Sequence, residues 1–201
     1  MKTMKNDNMR KTRKNRKPPK QLSYVFTEED YQSNDGFLTK VWGPILWNFL
    51  HITSFNYPVK PTHCQKVEYR KFILNLKNVL PCGKCRENLK ENFKKLPLTM
   101  AHMKNRDTFS RYIYDLHEVV NIMLCKTSGL TYEEVRERYE HFRSRCTTTS
   151  KTVKKRQSHV GCAEPLYGKK SKCVIHFVPE EKKCETLEID EQCLKSKEPH
   201  P

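Results

Sequence analysis

The break between two helical stripes constrains this chain most: it reads Pro81-Cys82-Gly83-Lys84-Cys85. Upstream, Tyr69, Phe72, Ile73, Leu76, Val79 and Leu80 recur at the three- and four-residue steps of an amphipathic helix. Downstream, Cys85, Leu89 and Phe93 keep the same spacing. Pro81 breaks the first helix, so Cys82 falls where a second begins. There the unpaired N–H groups, the positive end of the helix dipole and neighbouring Lys84 favour a thiolate. Two cysteines three apart on a first helical turn can close a small disulfide ring. So short a loop restrains the unfolded chain little, which suits the pair to electron exchange rather than stapling.

Two other readings compete. A zinc ribbon needs a second C-x₂-C, but Cys64, Cys125, Cys146, Cys162, Cys173, Cys184 and Cys193 all stand apart. No metal ligands are therefore assigned. A thioredoxin-type motif follows a strand in a βαβ unit, whereas here a helix precedes it. Redox chemistry is the favoured reading.

The rest of the chain falls into segments. Nine of the first twenty residues are basic (Lys2, Lys5, Arg10, Lys11, Arg13, Lys14, Arg16, Lys17, Lys20) against the single acid Asp7. Such a block reads as a solvated arm open to polyanions, nucleic acid included. Arm and leader together span residues 1–38, the latter part a loop or short helix. Thr39 is placed to cap a helix carrying Trp42, Ile45, Leu46, Phe49, Leu50 and Thr53, which Pro58 and Pro61 end. Thr62 and Gln65 have capping-box spacing for the helix that runs to Leu80, with Cys64 in its first turn. The redox helix runs to about Lys95, before Pro97. A loop over 98–107 precedes a long helix over 108–126, with Phe109, Tyr112, Ile113, Leu116, Val120, Met123 and Leu124 on its core side. Thr131 and Glu134 box the last helix, whose stripe is Val135, Tyr139, Phe142 and Cys146. Short connections favour a bundle, which can enclose a flat aromatic ligand.

Composition shifts at residue 147. Residues 147–158 are a polar, basic linker. The cysteine-rich extension, 159–201, changes period to two at Cys173-Val174-Ile175-His176-Phe177-Val178, turns at 179–183 and resumes at 186–189, resembling a hairpin. So small a segment needs staples, and disulfides or a zinc would each serve. The fold class is thus mainly α: a four-helix bundle with a short fifth helix and a cysteine-rich, hairpin-like appendage.

No apolar run approaches membrane-spanning length, and no apolar stretch follows the basic N-terminus as in a secretory signal. Nine cysteines in such a chain suggest redox chemistry or metal rather than a passive framework, and an odd number leaves at least one free or paired with another chain. The net charge of +16 also keeps open a zinc-stabilised, basic nucleic-acid-binding protein.

On the long helix His117, Asn121 and Leu124 share a face, and His and Asn one turn apart offer donors and acceptors to a heteroaromatic ring. Trp42-Gly43-Pro44, Trp47, His51 and Tyr57-Pro58 form an aromatic and histidine row upstream. With C-x-x-C between the two sets, this order resembles the Erv/ALR family of flavin-linked sulfhydryl oxidases. That family runs W-G-x-x-x-W-x-x-x-H, Tyr-Pro, C-x-x-C, then H-N-x-V-N-x-x-L-x-K. The matches are Trp42, Gly43, Trp47, His51, Tyr57, Pro58, Cys82, Cys85, His117, Val120, Asn121, Leu124 and Lys126, over about residues 40–146. Glu118 departs from the usual Asn, Tyr139 after Arg138 from Arg-Trp, and Cys125 from a frequent glycine. The family's structural disulfide near the last helix is therefore left unassigned.

The resemblance implies that residues 39–146 bind FAD non-covalently. The binding set is Trp42, Gly43, Trp47, His51, Tyr57, His117, Val120, Asn121, Leu124, Lys126, Arg138 and Tyr139, with Lys126 and Arg138 toward phosphate or ribose oxygens. Cys82 takes the attack of a protein dithiol, directly or through a thioredoxin-like carrier. Cys85 is released as thiolate against the flavin, and electrons pass to O₂, giving H₂O₂. Relatives often carry a shuttle pair, for which the pairs within Cys162–Cys193 are candidates alongside a purely structural role, with Cys64 less favoured. The family also implies a homodimer through the first helices. The tail looks like extensions on such oxidases from large cytoplasmic DNA viruses, which implies host cytoplasm or virion as the location.

Overall fold

A computed structural model of the protein describes residues 26–145, 164–166, 168–169, 171–179, 181–182 and 187–194. The basic arm, the 147–158 linker, Cys146, Cys162 and Cys184 lie outside the described residues. The chain forms two units, residues 1–35 and 36–201. In the first, α1 (Glu28–Gln32) opens with a capping box in which Thr27 N–H donates to the Asp30 carboxylate at 2.7 Å.

Among the described residues the second unit holds five further α-helices, each begun or ended by local chemistry. α2 (Thr39–Phe55) has Leu38, not Thr39, as N-cap, without a side-chain cap. Thr39 is the first helical residue, and its hydroxyl lies 3.6 Å from Cys85 Sγ instead. α3 (His63–Val79) opens on the expected Thr62–Gln65 box. α4 (Gly83–Lys95) starts at the redox pair, with Cys82 as its N-cap. α5 (Arg106–Met123) begins two residues before the predicted 108, because Asn105 caps it and Thr108 closes the box as N3. It ends three residues early at Leu124–Cys125, where Cys125 turns to φ 52°. α6 (Tyr132–Glu140) opens on the Thr131–Glu134 box. It stops at Glu140, so Phe142 lies past the helix it was assigned to.

α2 packs against α5, α3 against α4, and α4 touches α5. α6 lies across α2 and α5. The core at their centre is Leu50, Tyr57, Ile73, Leu76, Leu80, Leu89, Leu98, Met103, Phe109, Tyr112, Ile113 and Leu116. Each large apolar side chain so buried contributes about 1.5–3 kcal/mol. A second cluster of Phe55, Tyr132 and Val135, with Tyr114, Leu130 and Tyr139 against it, seats α6. No described helix is long and apolar enough to cross a membrane.

The tail departs from expectation. Residues 171–179 contain no strand, and Val174, Ile175 and Phe177 are exposed. An alternating run becomes a strand only where a ladder partner and a face to bury against exist, and an isolated hairpin is marginal in water. Within the span expected to turn, Lys182 N–H donates to Pro179 O at 3.0 Å, while residues 180 and 183–186 lie outside the described residues. The one short ladder among the described residues is β1 (Ser144–Arg145) antiparallel to β2 (Glu164–Pro165). Beyond it Gly168, at φ 62°, passes so near the Cys193 carbonyl that a Cβ would stand 2.6 Å away. Lys169 N–H donates to Gln192 O at 2.8 Å beside the 3-10 turn Glu191–Cys193.

Candidate functional site

The redox pair sits where α3 ends and α4 begins. Leu80 caps α3, Pro81 blocks its continuation, and Cys82 takes extended angles (φ −156°, ψ 116°) that turn the chain into α4. Cys82 and Cys85 are joined by a disulfide, with Cα atoms 5.2 Å apart. Cys85 N–H donates to Cys82 Sγ at 3.2 Å, so this sulfur does the work of an N-cap oxygen. Cys85 Sγ meets the Thr39 hydroxyl. Both cysteines are half-buried, open to an incoming thiol. The bridge leans on the core through Cys85, and Arg86 donates to Leu80 O across the break.

A second group of residues lies between α2, α5 and α6. Trp47 stacks on His117, with ring centroids 4.0 Å apart and planes within 8°. His51 Nε2 lies 3.0 Å from His117 Nδ1. The His51 ring also stacks on Tyr139 at 5.1 Å, and Tyr139 on Phe55 at 5.7 Å. The Tyr139 hydroxyl donates to Asn48 Oδ1 at 2.6 Å, tying α6 to α2. Burial holds both imidazoles neutral. It lowers His51 to about 3, helped by repulsion from His117, and His117 to about 4, against the pull of Glu118.

This group fits a planar heteroaromatic cofactor. His51 Nδ1 is buried without a hydrogen-bond partner, the sole such side-chain atom among the described residues. Buried Gly43, one turn before Trp47, would bring an added Cβ only to ordinary contact, 3.5 Å from Thr39 Cγ2. Neutral imidazoles offer an N–H and a lone pair rather than charge, which suits the edge of a heteroaromatic ring.

The other predicted binding residues lie on or just past the same three helices. Asn121 is half-buried on α5, and its side-chain amide donates to Glu118 Oε1 at 2.9 Å. Val120 is half-buried beside it, while Leu124 and Lys126 are exposed past the helix end. Trp42 lies nearer the disulfide, its Nε1–H donating to Phe37 O at 3.0 Å. Tyr57 is in the core with no exposed atom, and its hydroxyl donates to Met103 O at 3.0 Å. Arg138 lines a groove with Glu137, His141, Leu187, Ile189 and Leu194, where the tail meets α6.

Sequence reasoning does not single out Asn48 or Phe55, and it reads Thr39 only as a helix cap, not as a neighbour of Cys85. Asn48 and Phe55 flank His51 at helical steps of three and four, a usable signal. Thr39 meets its cysteine across forty-six residues of sequence, which no spacing reveals. Cys64, Cys125 and Cys173 are free and exposed, and Cys193 is free and half-buried. Among the described residues no three His, Cys, Asp or Glu side chains converge as metal ligands.

The chain is similar to known proteins. The Erv1 / Alr family model matches residues 44–140. A probable FAD-linked sulfhydryl oxidase of Acanthamoeba polyphaga mimivirus is 38% identical over 99 residues, 49% of this chain and 68% of the relative. An FAD-linked sulfhydryl oxidase of African swine fever virus is 31% identical over 99 residues, 80% of its own length. The crystal structure of the yeast Erv1 core overlays with a TM-score of 0.48 at 21% identity, covering 60% of this chain and 93% of that one.

Proposed function

Since this chain belongs to the Erv1/Alr family, we propose that it is an FAD-linked sulfhydryl oxidase forming disulfides in protein dithiols through Cys82 and Cys85. The observation that carries this is the disulfide seated on the first turn of α4, in one helical unit with a cluster of neutral imidazoles and stacked rings. Residues 39–146 make the oxidase domain.

Trp47, His51, His117 and Tyr139 would hold the cofactor's ring system, with Asn121 and Gly43 beside them and Arg138 on α6. FAD held there would supply a two-electron acceptor for the Cys82–Cys85 dithiol, with O₂ as the final acceptor and H₂O₂ as product. The chain's own residues perform the exchange. A substrate thiolate attacks Cys82 Sγ, the Cys82–Cys85 bond breaks, and Cys85 leaves with the electron pair. A second substrate thiolate then displaces Cys82, and the substrate departs as a disulfide. The α4 N-terminus favours the thiolates formed there. The imidazoles stay neutral throughout, so they orient without adding charge.

Dimerisation is proposed across α2 and α3, whose Ile45, Phe49, Phe72 and Val79 are exposed, with Phe49 and Phe72 in edge contact. The viral sources of the two relatives support a viral protein acting in host cytoplasm or virion. An absorption spectrum, before and after adding dithiothreitol in air, tests the function. Flavin bands near about 450 nm that bleach and return with oxygen consumption are expected. A colourless chain that cannot be reconstituted with FAD rejects it.

A further inference from the structure

Residues 36–39 run against the redox pair. Gly36 comes so near the chain leaving α3 that a Cβ would stand 2.7 Å from Pro81 O and 3.1 Å from Cys82 Cα. Phe37 N–H donates to that same Pro81 carbonyl at 2.9 Å. Phe37 O accepts the Trp42 indole N–H, and Leu38 O accepts Val41 N–H at 2.9 Å. Pinned on both sides, the segment sets Thr39 Oγ1 3.6 Å from Cys85 Sγ. In the disulfide that sulfur carries no proton, so the hydroxyl is the donor.

We propose that Thr39, held in register by the contact of Gly36 with Pro81 and Cys82, is a positioning residue that makes Cys85 the leaving thiolate when the disulfide opens. The proposal rests on the oxidase reading for its purpose. In the opening step the substrate thiolate forms a bond to Cys82 Sγ, the Cys82–Cys85 bond breaks, and its electron pair departs on Cys85. No proton moves. Negative charge therefore develops on the sulfur that faces the Thr39 hydroxyl, and a donor to the charged form favours it. Cys82 already has a donor in Cys85 N–H. Without Thr39 the two sulfurs would be unequal in the wrong sense, since Cys82 alone would be stabilised as the leaving group. Thr39 is exposed, so water competes for its hydroxyl and the effect is graded rather than absolute.

The test reads Cys85 directly and needs no flavin. In a full-length Cys82→Ser chain, the rate of iodoacetamide alkylation is followed against pH by mass spectrometry of the peptide carrying Cys85. Thr39→Val, which keeps the shape and removes the hydroxyl, should move the profile up by about 0.5–1 pH unit. Thr39→Ser should restore it. Gly36→Ala, which must displace the segment, should move it in the same direction with Thr39 intact. In the chain with both cysteines, a glutathione mixed disulfide should map to Cys82, and Thr39→Val should raise the share on Cys85. Profiles that superimpose for parent and Thr39→Val overturn the proposal. A chain that never binds flavin would instead reject the oxidase reading while leaving the profile shift in place, so the two failures are separable.

Discussion

His51 Nε2 and His117 Nδ1 lie 3.0 Å apart, so α2 and α5 are joined through two imidazoles of which only one can donate. Burial keeps both rings neutral. The far nitrogen of His51 has no partner, so this contact leaves one polar atom for something the chain itself does not supply.

The pair should make the flavin-free protein sensitive to mild acid. Both folded values, about 3 for His51 and about 4 for His117, lie below the ordinary 6.5. The unfolded chain therefore takes up protons first, and stability falls as pH drops from about 6.5 toward about 4. From pH 7.5 to pH 5 we expect a loss of about 2 kcal/mol from each ring, about 4 kcal/mol from the pair, measured by urea unfolding. His51→Asn should flatten that dependence. An unchanged slope would mean that the rings are not buried neutral together.

Much of this was legible because helices announce themselves locally. The stripes from Trp42 to Leu50 and from Tyr69 to Leu80, and the Thr62–Gln65 and Thr131–Glu134 boxes, need only neighbours in sequence. The apolar stripe alone does not mark Asn105 as a cap, so it puts the start of α5 two residues late. The tail differs because a period of two in residues 173–178 states what a strand would look like, not whether a partner exists. Site membership was hardest to read. A motif records which residues recur and not what each touches, so nothing in it separates Tyr57, bonded within the core, from His51, which lacks a partner at Nδ1.

Replacing Cys82 or Cys85 by Ser should lower oxidase turnover at least about 100-fold, since single thiols cannot complete the exchange. Bound flavin should remain, because the ring cluster is built from α2, α5 and α6. Turnover is read by oxygen consumption with dithiothreitol and flavin by absorbance. Loss of flavin along with turnover would place the cysteines in the cofactor's support.

Phe72→Glu should turn the proposed dimer into a monomer. A carboxylate beside Phe49 would have to be desolvated for the α2–α3 faces to meet. Light scattering should show the parent at twice the mass of the variant; a monomeric parent removes the premise.

Tyr57→Phe separates a core role from a cofactor role. The hydroxyl is fully buried and donates to Met103 O. Its loss should cost about 1–3 kcal/mol of stability, leaving flavin content per folded chain unchanged. A variant that folds but no longer holds flavin would show that the Tyr57 hydroxyl serves the cofactor.

Cys125→Gly should stabilise the chain. Cys125 adopts φ 52° just past α5, where Lys126 N–H turns back to Asn121 O at 2.8 Å. An L-residue in the left-handed region costs about 1–2 kcal/mol, which glycine avoids, and glycine is the common residue at that place after a helix. The side chain is exposed and free, so removing it sacrifices little burial. Glycine's greater freedom in the unfolded chain offsets part of the gain. A net gain of about 1 kcal/mol is expected, seen as a rise of several degrees in thermal midpoint. Cys125→Ala removes the thiol but keeps the Cβ, and should give no such rise. Equal stabilisation by alanine would trace the effect to the thiol and not to the backbone.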